Sequence, residues 1–171
     1  SPGVDFVMEA DGTSDRKLPS CRIIPERGSW IEVNVTKKDS LSIRIDQSGK
    51  FSAVMLLRAM NPKYSTDADI IRAFYETNSE KVVDGRSVGK IEVDDIVYPA
   101  SNKRAGEVIV EAGKKITKAI AETICNSGLK KVEVLDAPKV SLIFNSLSDD
   151  PTSSHEEALL RIYQRLRPGN P

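Results

Sequence analysis

Few residues of this chain have the type and spacing that chemistry demands. Histidine occurs once, at His155, and cysteine twice, at Cys21 and Cys125. Neither cysteine has a histidine or a second cysteine at metal-ligand spacing, which argues against a zinc site and against a Cys/His nucleophile pair. Two reduced thiols are the expected state. Asp94-Asp95 and Asp149-Asp150 set carboxylates side by side, but neighbours on a strand point to opposite faces, and both pairs read as turn residues. His155, near the start of an expected helix, reads as a solvated surface residue. No glycine-rich phosphate loop follows a strand. No nucleophile has a base beside it, so no catalytic residue and no metal ligand is assigned.

One residue stands out for binding rather than catalysis. Trp30 is the single tryptophan, and it leads into Ile31-Glu32-Val33-Asn34-Val35, whose alternation marks a half-buried strand. Counting by twos sets Trp30 with Glu32 and Asn34 on the polar face, close to Arg27. An indole turned toward water wants a partner.

The totals bound what such a partner is. With 171 residues and 39% hydrophobic content, the chain can pack one ordinary domain with a modest insertion. Net charge is zero, 25 basic against 25 acidic residues. That opposes a freestanding nucleic-acid binder, which is usually basic overall. Between Arg22 and Arg58, however, seven basic residues face four acidic ones, so one surface could be locally basic. No apolar run nears the roughly 20 residues of a membrane span. The opening residues lack the basic and apolar regions of a signal peptide. Ser1-Pro2-Gly3 at one end and Arg167-Pro168-Gly169-Asn170-Pro171 at the other read as the limits of an excised fragment.

The elements expected to position Trp30 begin with that strand. Leu41, Ile43 and Ile45 alternate with Ser42 and Arg44 in a second strand, whose outer face carries Arg44. Asp46-Gln47-Ser48-Gly49 is a turn, with Gly49 free to take positive φ. Ser52 to Met60 loses the alternation and reads as a buried helix ended by Asn61-Pro62. Thr66 caps another, with Asp67 and Asp69 in its first turn and Ile70, Ile71, Phe74 and Tyr75 as its stripe. From Thr77 the texture changes to short β segments: Lys81-Val82-Val83, Ser87 to Val93, Ile96 to Tyr98, Glu107 to Glu111 and Lys131 to Leu135. One helix, capped by Thr117 and stopped by Gly128, sits among them. In the last helix Ser153 is the expected N-cap, with Glu156 completing a capping box. Its apolar face is Ala158, Leu159, Ile162, Tyr163 and Leu166, and Pro168-Gly169 ends it. The expected fold is α+β, with a mainly-β module inserted between two halves of another domain.

Several short motifs, in fixed order, carry a resemblance. Ser1-Pro2-Gly3-Val4, Arg22-Ile23-Ile24-Pro25, Arg27-Gly28-Ser29-Trp30, Arg44-Ile45-Asp46 and Leu57-Arg58-Ala59 resemble the β subunit of bacterial DNA-directed RNA polymerase. Asp150-Pro151-Thr152 and Leu166-Arg167-Pro168-Gly169 resemble it too. The resemblance covers 1–76 and 138–171 as the lobe domain, one jaw of the DNA cleft. The stretch 77–137 falls where that family carries variable insertions, often a small barrel-sandwich.

The resemblance implies a role for Trp30: stacking on a non-template-strand base near the start of the downstream duplex. An indole face accepts any unstacked base at roughly 1–3 kcal/mol. Arg27 and Arg44 then supply phosphate contacts. Lys50 is the single cation of a turn that is crowded with basic residues in many relatives. Arg167 matches a position near the same strand, or else steadies a helix C-terminus. The alternative for Trp30 is packing on the domain's own surface. The whole enzyme, in the cytoplasm of a bacterium and associated with its nucleoid, is a nucleotidyltransferase that uses two Mg2+ held elsewhere. No cofactor is expected in this segment. Its implied partners are DNA, the other polymerase subunits and σ factor, with no membrane. Two further readings stand: a protein-interaction module that docks a regulator or σ, and a small enzyme of unknown chemistry.

Overall fold

The computed structural model describes residues 1–10, 16–82 and 85–167. Val83, within an expected strand, and Pro168-Gly169, expected to end the last helix, lie outside the described residues. The secondary structure is mixed, with helices and several antiparallel sheets. The chain divides into two compact units, Ser1–Thr66 with Val140–Pro171, and Asp67–Lys139.

The first unit is built on a five-stranded antiparallel sheet in sequential order. Its strands are β1 (Gly3–Ala10), β2 (Lys17–Ile24), β3 (Ile31–Val35), β4 (Leu41–Ile45) and β5 (Phe51–Ser52). The period of two sorts its faces. Phe6, Cys21, Val33, Ile43 and Phe51 line up across all five strands through successive register pairs. On the other face Asp5, Arg22, Glu32 and Arg44 form a charged row. The strands of β1 and β2 were not recognised in the sequence.

Helix α1 (Ala53–Met60) starts where the Ser52 hydroxyl accepts the Val54 N–H. With α5 (His155–Leu166) it covers one end of the apolar face, and Ile43, Ile45, Phe51, Met55, Ala158 and Ile162 make the core there. Helix α4 (Leu142–Asp149), also missed in the sequence, is stitched to the sheet through Ser146. The Ser146 hydroxyl accepts the Leu41 N–H at 2.7 Å, and its carbonyl accepts the Ser52 hydroxyl at 2.7 Å.

Several expectations for this unit change. The N-cap of α5 is Ser154, one residue later than expected; its hydroxyl accepts the Glu157 N–H. Glu157, not Glu156, reaches back to the Ser153 N–H at 3.0 Å. Of the expected apolar face of α5, only Ala158 and Ile162 are buried. Leu159, Tyr163 and Leu166 stay 44–47% exposed, because the neighbouring core takes in only a narrow strip of the helix. His155 is not freely solvated. Its ring Nδ1 lies 2.6 Å from the Arg58 carbonyl, and its N–H donates to the Ser65 hydroxyl.

The second unit begins with α2 (Asp67–Phe74), which carries Asp67 and Asp69 in its first turn as expected. This compact unit thus takes in α2 as well as the 77–137 stretch. Ile70 and Ile71 are fully buried, and Arg72 grips Glu133 at 2.7 Å. The strands here are short: β6 (Asn78–Lys81), β7 (Ile91–Glu92), β8 (Ile96–Val97), β9 (Val108–Val110) and β10 (Lys131–Leu135). They form two antiparallel sheets, β6-β10-β7 and β8-β9. Helix α3 (Lys118–Ser127) has Thr117 as N-cap and Gly128 in the left-handed region at φ 102°. Val82, Ile96, Val110, Ile116, Ala121, Ile124, Val132 and Val134 form a separate core.

Candidate nucleic-acid interface

The charged row on the sheet is the floor of the candidate site. Three neighbouring strands each contribute one member, Arg22 from β2, Glu32 from β3 and Arg44 from β4, because the register makes them direct cross-strand partners. Trp30 stands immediately before β3 and Asp46 immediately after β4. Together with Gln47 these residues line an open hollow of about 1090 Å³.

Within it the side chains are unequal. Arg22 is held between two carboxylates, with Nη2 2.9 Å from Glu9 Oε1 and Nε 3.2 Å from Glu32 Oε1. Arg44 is half-buried, and its Nε, shielded from solvent, has no hydrogen-bond partner among the described residues. A guanidinium is a fork of donors, so Arg44 can offer N–H groups to a phosphate oxygen, although its Nε itself is turned away from solvent. Trp30 is 52% exposed, so a large part of its surface is open to a planar ligand. Arg22 and Arg44 are offset by Glu32 and Asp46, so the hollow is balanced in charge rather than basic.

The expected site residues separate on this geometry. Trp30 and Arg44 share the hollow. Arg27 is exposed on the loop between β2 and β3, outside the residues that line it. Lys50 lines a different hollow, with Glu9, Ser20, Asn34 and Lys37. Arg167 caps the end of α5, where its N–H donates to the Tyr163 carbonyl. Arg22, Glu32, Asp46 and Gln47 were not assigned to the site beforehand. The signal for Arg22 and Glu32 was available, since both alternate with apolar residues, but it needed the strand register. Arg58, counted among the basic residues of this stretch, is fully buried and paired with Asp150 at 3.0 Å. It adds nothing to the surface field, and Asp150, expected as a turn residue, follows the end of α4 and is its buried ion-pair partner.

The remaining candidates for chemistry are quickly placed. Cys21 and Cys125 are free thiols. Asp95 Oδ1 accepts the Ala112 N–H and Asp94 Oδ1 the Asp95 N–H, as in a turn. Among the described residues, no cluster of three or more His, Cys, Asp or Glu side chains is placed to hold a metal ion. Among the same residues, no helix is long and apolar enough to cross a membrane.

No family model matches the chain. Curated proteins do. The DNA-directed RNA polymerase subunit beta of Rhodopirellula baltica is 71% identical over 175 residues, covering 100% of this chain. The subunits of the same name from Chlamydia pneumoniae and Leptospira biflexa are 36% and 31% identical, again over 100% of the chain. The chain spans 14% of the length of each of these relatives. Matched along its whole length at 71% identity, it belongs to the DNA-directed RNA polymerase β-subunit family and corresponds to one segment of that larger subunit.

Proposed function

We propose that this chain is the lobe segment of a bacterial RNA polymerase β subunit, walling the DNA cleft and touching the downstream duplex and the unpaired non-template strand. The observation that carries this reading is a half-exposed indole that shares an open hollow with the Arg44 guanidinium. Trp30 stacks on a base and Arg44 meets a phosphate oxygen. Stacking discriminates little among bases, which suits a surface that must pass any sequence. Phosphate contacts add position without sequence information. Arg27, Lys50 and Arg167 lie outside the hollow and act, on this reading, as outlying phosphate contacts. The segment works within a multisubunit nucleotidyltransferase in the bacterial cytoplasm, at the nucleoid. Its partners there are the other polymerase subunits and σ factor, and the Mg2+ ions of catalysis are held outside this segment.

The test is Trp30→Ala. A mostly exposed side chain contributes little core burial, so the melting temperature of the chain should barely move. In an assembled polymerase, the same change should weaken contact with the unpaired strand by about 1–3 kcal/mol, read as a shorter open-complex lifetime. Nucleotide addition should persist. A large fall in melting temperature with unchanged open complexes would make Trp30 a packing residue and end the stacking role.

A second reading, contact with other protein, draws on β1. Val4, Phe6 and Met8 are 71%, 65% and 52% exposed, on the apolar face of the sheet. Cross-linking at Phe6 in the assembled enzyme should capture another polymerase segment if protein covers this end, and DNA if it does not.

A further inference from the structure

We infer that Asp46 is the positioning residue of Trp30, and that its carboxylate, by standing in for a missing rung of the sheet, sets the indole in the orientation that base stacking needs. The inference rests on the stacking reading above.

The last regular pair of the β3–β4 ladder is Ile31 with Ile45. The next rung would pair Trp30 with Asp46, backbone to backbone. Half of that rung survives, because the Asp46 N–H donates to the Trp30 carbonyl at 2.8 Å. The other half is replaced. The Trp30 N–H donates to Asp46 Oδ1 at 2.9 Å rather than to a backbone carbonyl.

The cause is the backbone at Asp46. Its φ is 53°, in the left-handed region, where aspartate and asparagine are tolerated far better than other residues with a Cβ. The turn that follows β4 was expected to find its positive φ at Gly49; it finds it at Asp46. That left-handed step takes the chain off the strand path before the rung is complete, and the side chain supplies the acceptor instead. Two hydrogen bonds thus close a ring between residues 30 and 46, fixing the Cα of an exposed indole as a strand would. Asp46 itself lines the hollow beside Trp30, so the clamp and its load face the same space.

Three substitutions separate the parts of this device. Asp46→Asn keeps the acceptor oxygen and the left-handed preference and should behave like the parent. Asp46→Gly keeps the conformation but deletes the acceptor, and Asp46→Ala impairs both. Because Trp30 is the chain's single tryptophan, fluorescence anisotropy decay of the 171-residue chain reports its motion directly. Asp46→Gly and Asp46→Ala should add a fast indole rotation and speed Trp30 amide exchange by about tenfold, the scale of one hydrogen bond. Asp46→Asn should do neither. Should a variant fail to fold, amide exchange in the parent chain still decides: an unprotected Trp30 N–H overturns the inference. So does an unchanged anisotropy decay in folded Asp46→Gly.

The second arm uses an assembled polymerase with 2-aminopurine at the non-template base. If Trp30 stacks, Trp30→Ala should relieve quenching fully and Asp46→Gly in part. If Trp30→Ala leaves quenching intact, the stacking reading fails, whatever the free chain shows. If Trp30→Ala relieves it and Asp46→Gly does not, stacking stands and the positioning role falls.

Discussion

Two carboxylates illustrate what burial does to a single residue. Glu92, on β7, is 1% exposed, and its Oε2 has no hydrogen-bond partner among the described residues. Burial raises its pKa from the ordinary 4.5 to about 8; the backbone N–H groups of Val93 and Asp94 oppose the rise, and the charges of Asp94 and Glu133 add to it. The native state therefore keeps a proton that the unfolded chain has already lost. Between pH 4.5 and 8 the native chain holds more protons, so stability falls as pH rises. The slope is at most about 1.4 kcal/mol per pH unit. Denaturant titrations across that window should show the decline for the parent and a flatter profile for Glu92→Gln. The Asp150 side chain is buried too, but both of its carboxylate oxygens have partners. Oδ2 meets Arg58 Nε at 3.0 Å, while Oδ1 accepts the N–H and hydroxyl of Thr152 at 2.9 and 2.8 Å. Arg58 also donates to the Ser65 carbonyl at 2.6 Å. Asp150→Ala would take a buried carboxylate partner from Arg58, and unfolding should become easier, by up to about 3–5 kcal/mol, measured by urea titration.

At the scale of the element, the cap of α5 gives a test that separates two neighbouring serines. The Ser154 hydroxyl accepts the Glu157 N–H, so Ser154→Ala should cost about 1 kcal/mol in a thermal melt. Ser153 keeps its backbone N–H to Glu157 whatever its side chain, and Ser153→Ala should cost less. The sequence pointed one residue too early because Ser153 and Ser154 are followed by Glu156 and Glu157, and either pairing spells a capping box. Local ambiguity of this kind explains most of what the sequence left open. Strands β3 and β4 were legible because each has one face in the core, and alternation writes that burial into the residue order. Strand β1 was not, because Val4, Phe6 and Met8 are exposed while Asp5 and Glu9 share the charged face, so no burial contrast disciplined the pattern. Helix α4, Leu142-Ile143-Phe144-Asn145-Ser146-Leu147, hides its role in Ser146, whose buried hydrogen bonds reach residues about a hundred positions away in sequence. The candidate site was half legible for a similar reason. Trp30 and Arg44 were found from alternation and motif. The pairing of Arg22 with Glu9 and Glu32, and the clamp at Asp46, depend on register and on one left-handed residue.

At the scale of the whole molecule, two cores in one chain make a prediction about cooperativity. The first unit gathers Ile43, Ile45, Phe51, Met55, Ala158 and Ile162 from both ends of the sequence. The second closes on Val93, Ile116, Ile124 and Val134, each fully buried, within Asp67–Lys139. Each unit has its own sheets, and each has apolar residues sequestered from water, the main favourable contribution to folding. Replacing 67–139 with a short Gly/Ser linker should therefore leave the first unit folded, with Trp30 still clamped to Asp46. The linker adds little closure cost, since the entropy of joining two ends grows only with the logarithm of loop length. Cutting instead at 77 would leave α2 behind, with Arg72 stripped of Glu133. That version should melt lower and bind a hydrophobic dye. The measurement is a pair of thermal melts followed by Trp30 fluorescence, one for each boundary. A cooperative transition near that of the parent for the 67–139 replacement, and a broadened one for the 77–137 replacement, is the expected outcome. Loss of cooperative melting in both would mean that the first unit depends on the second for its fold.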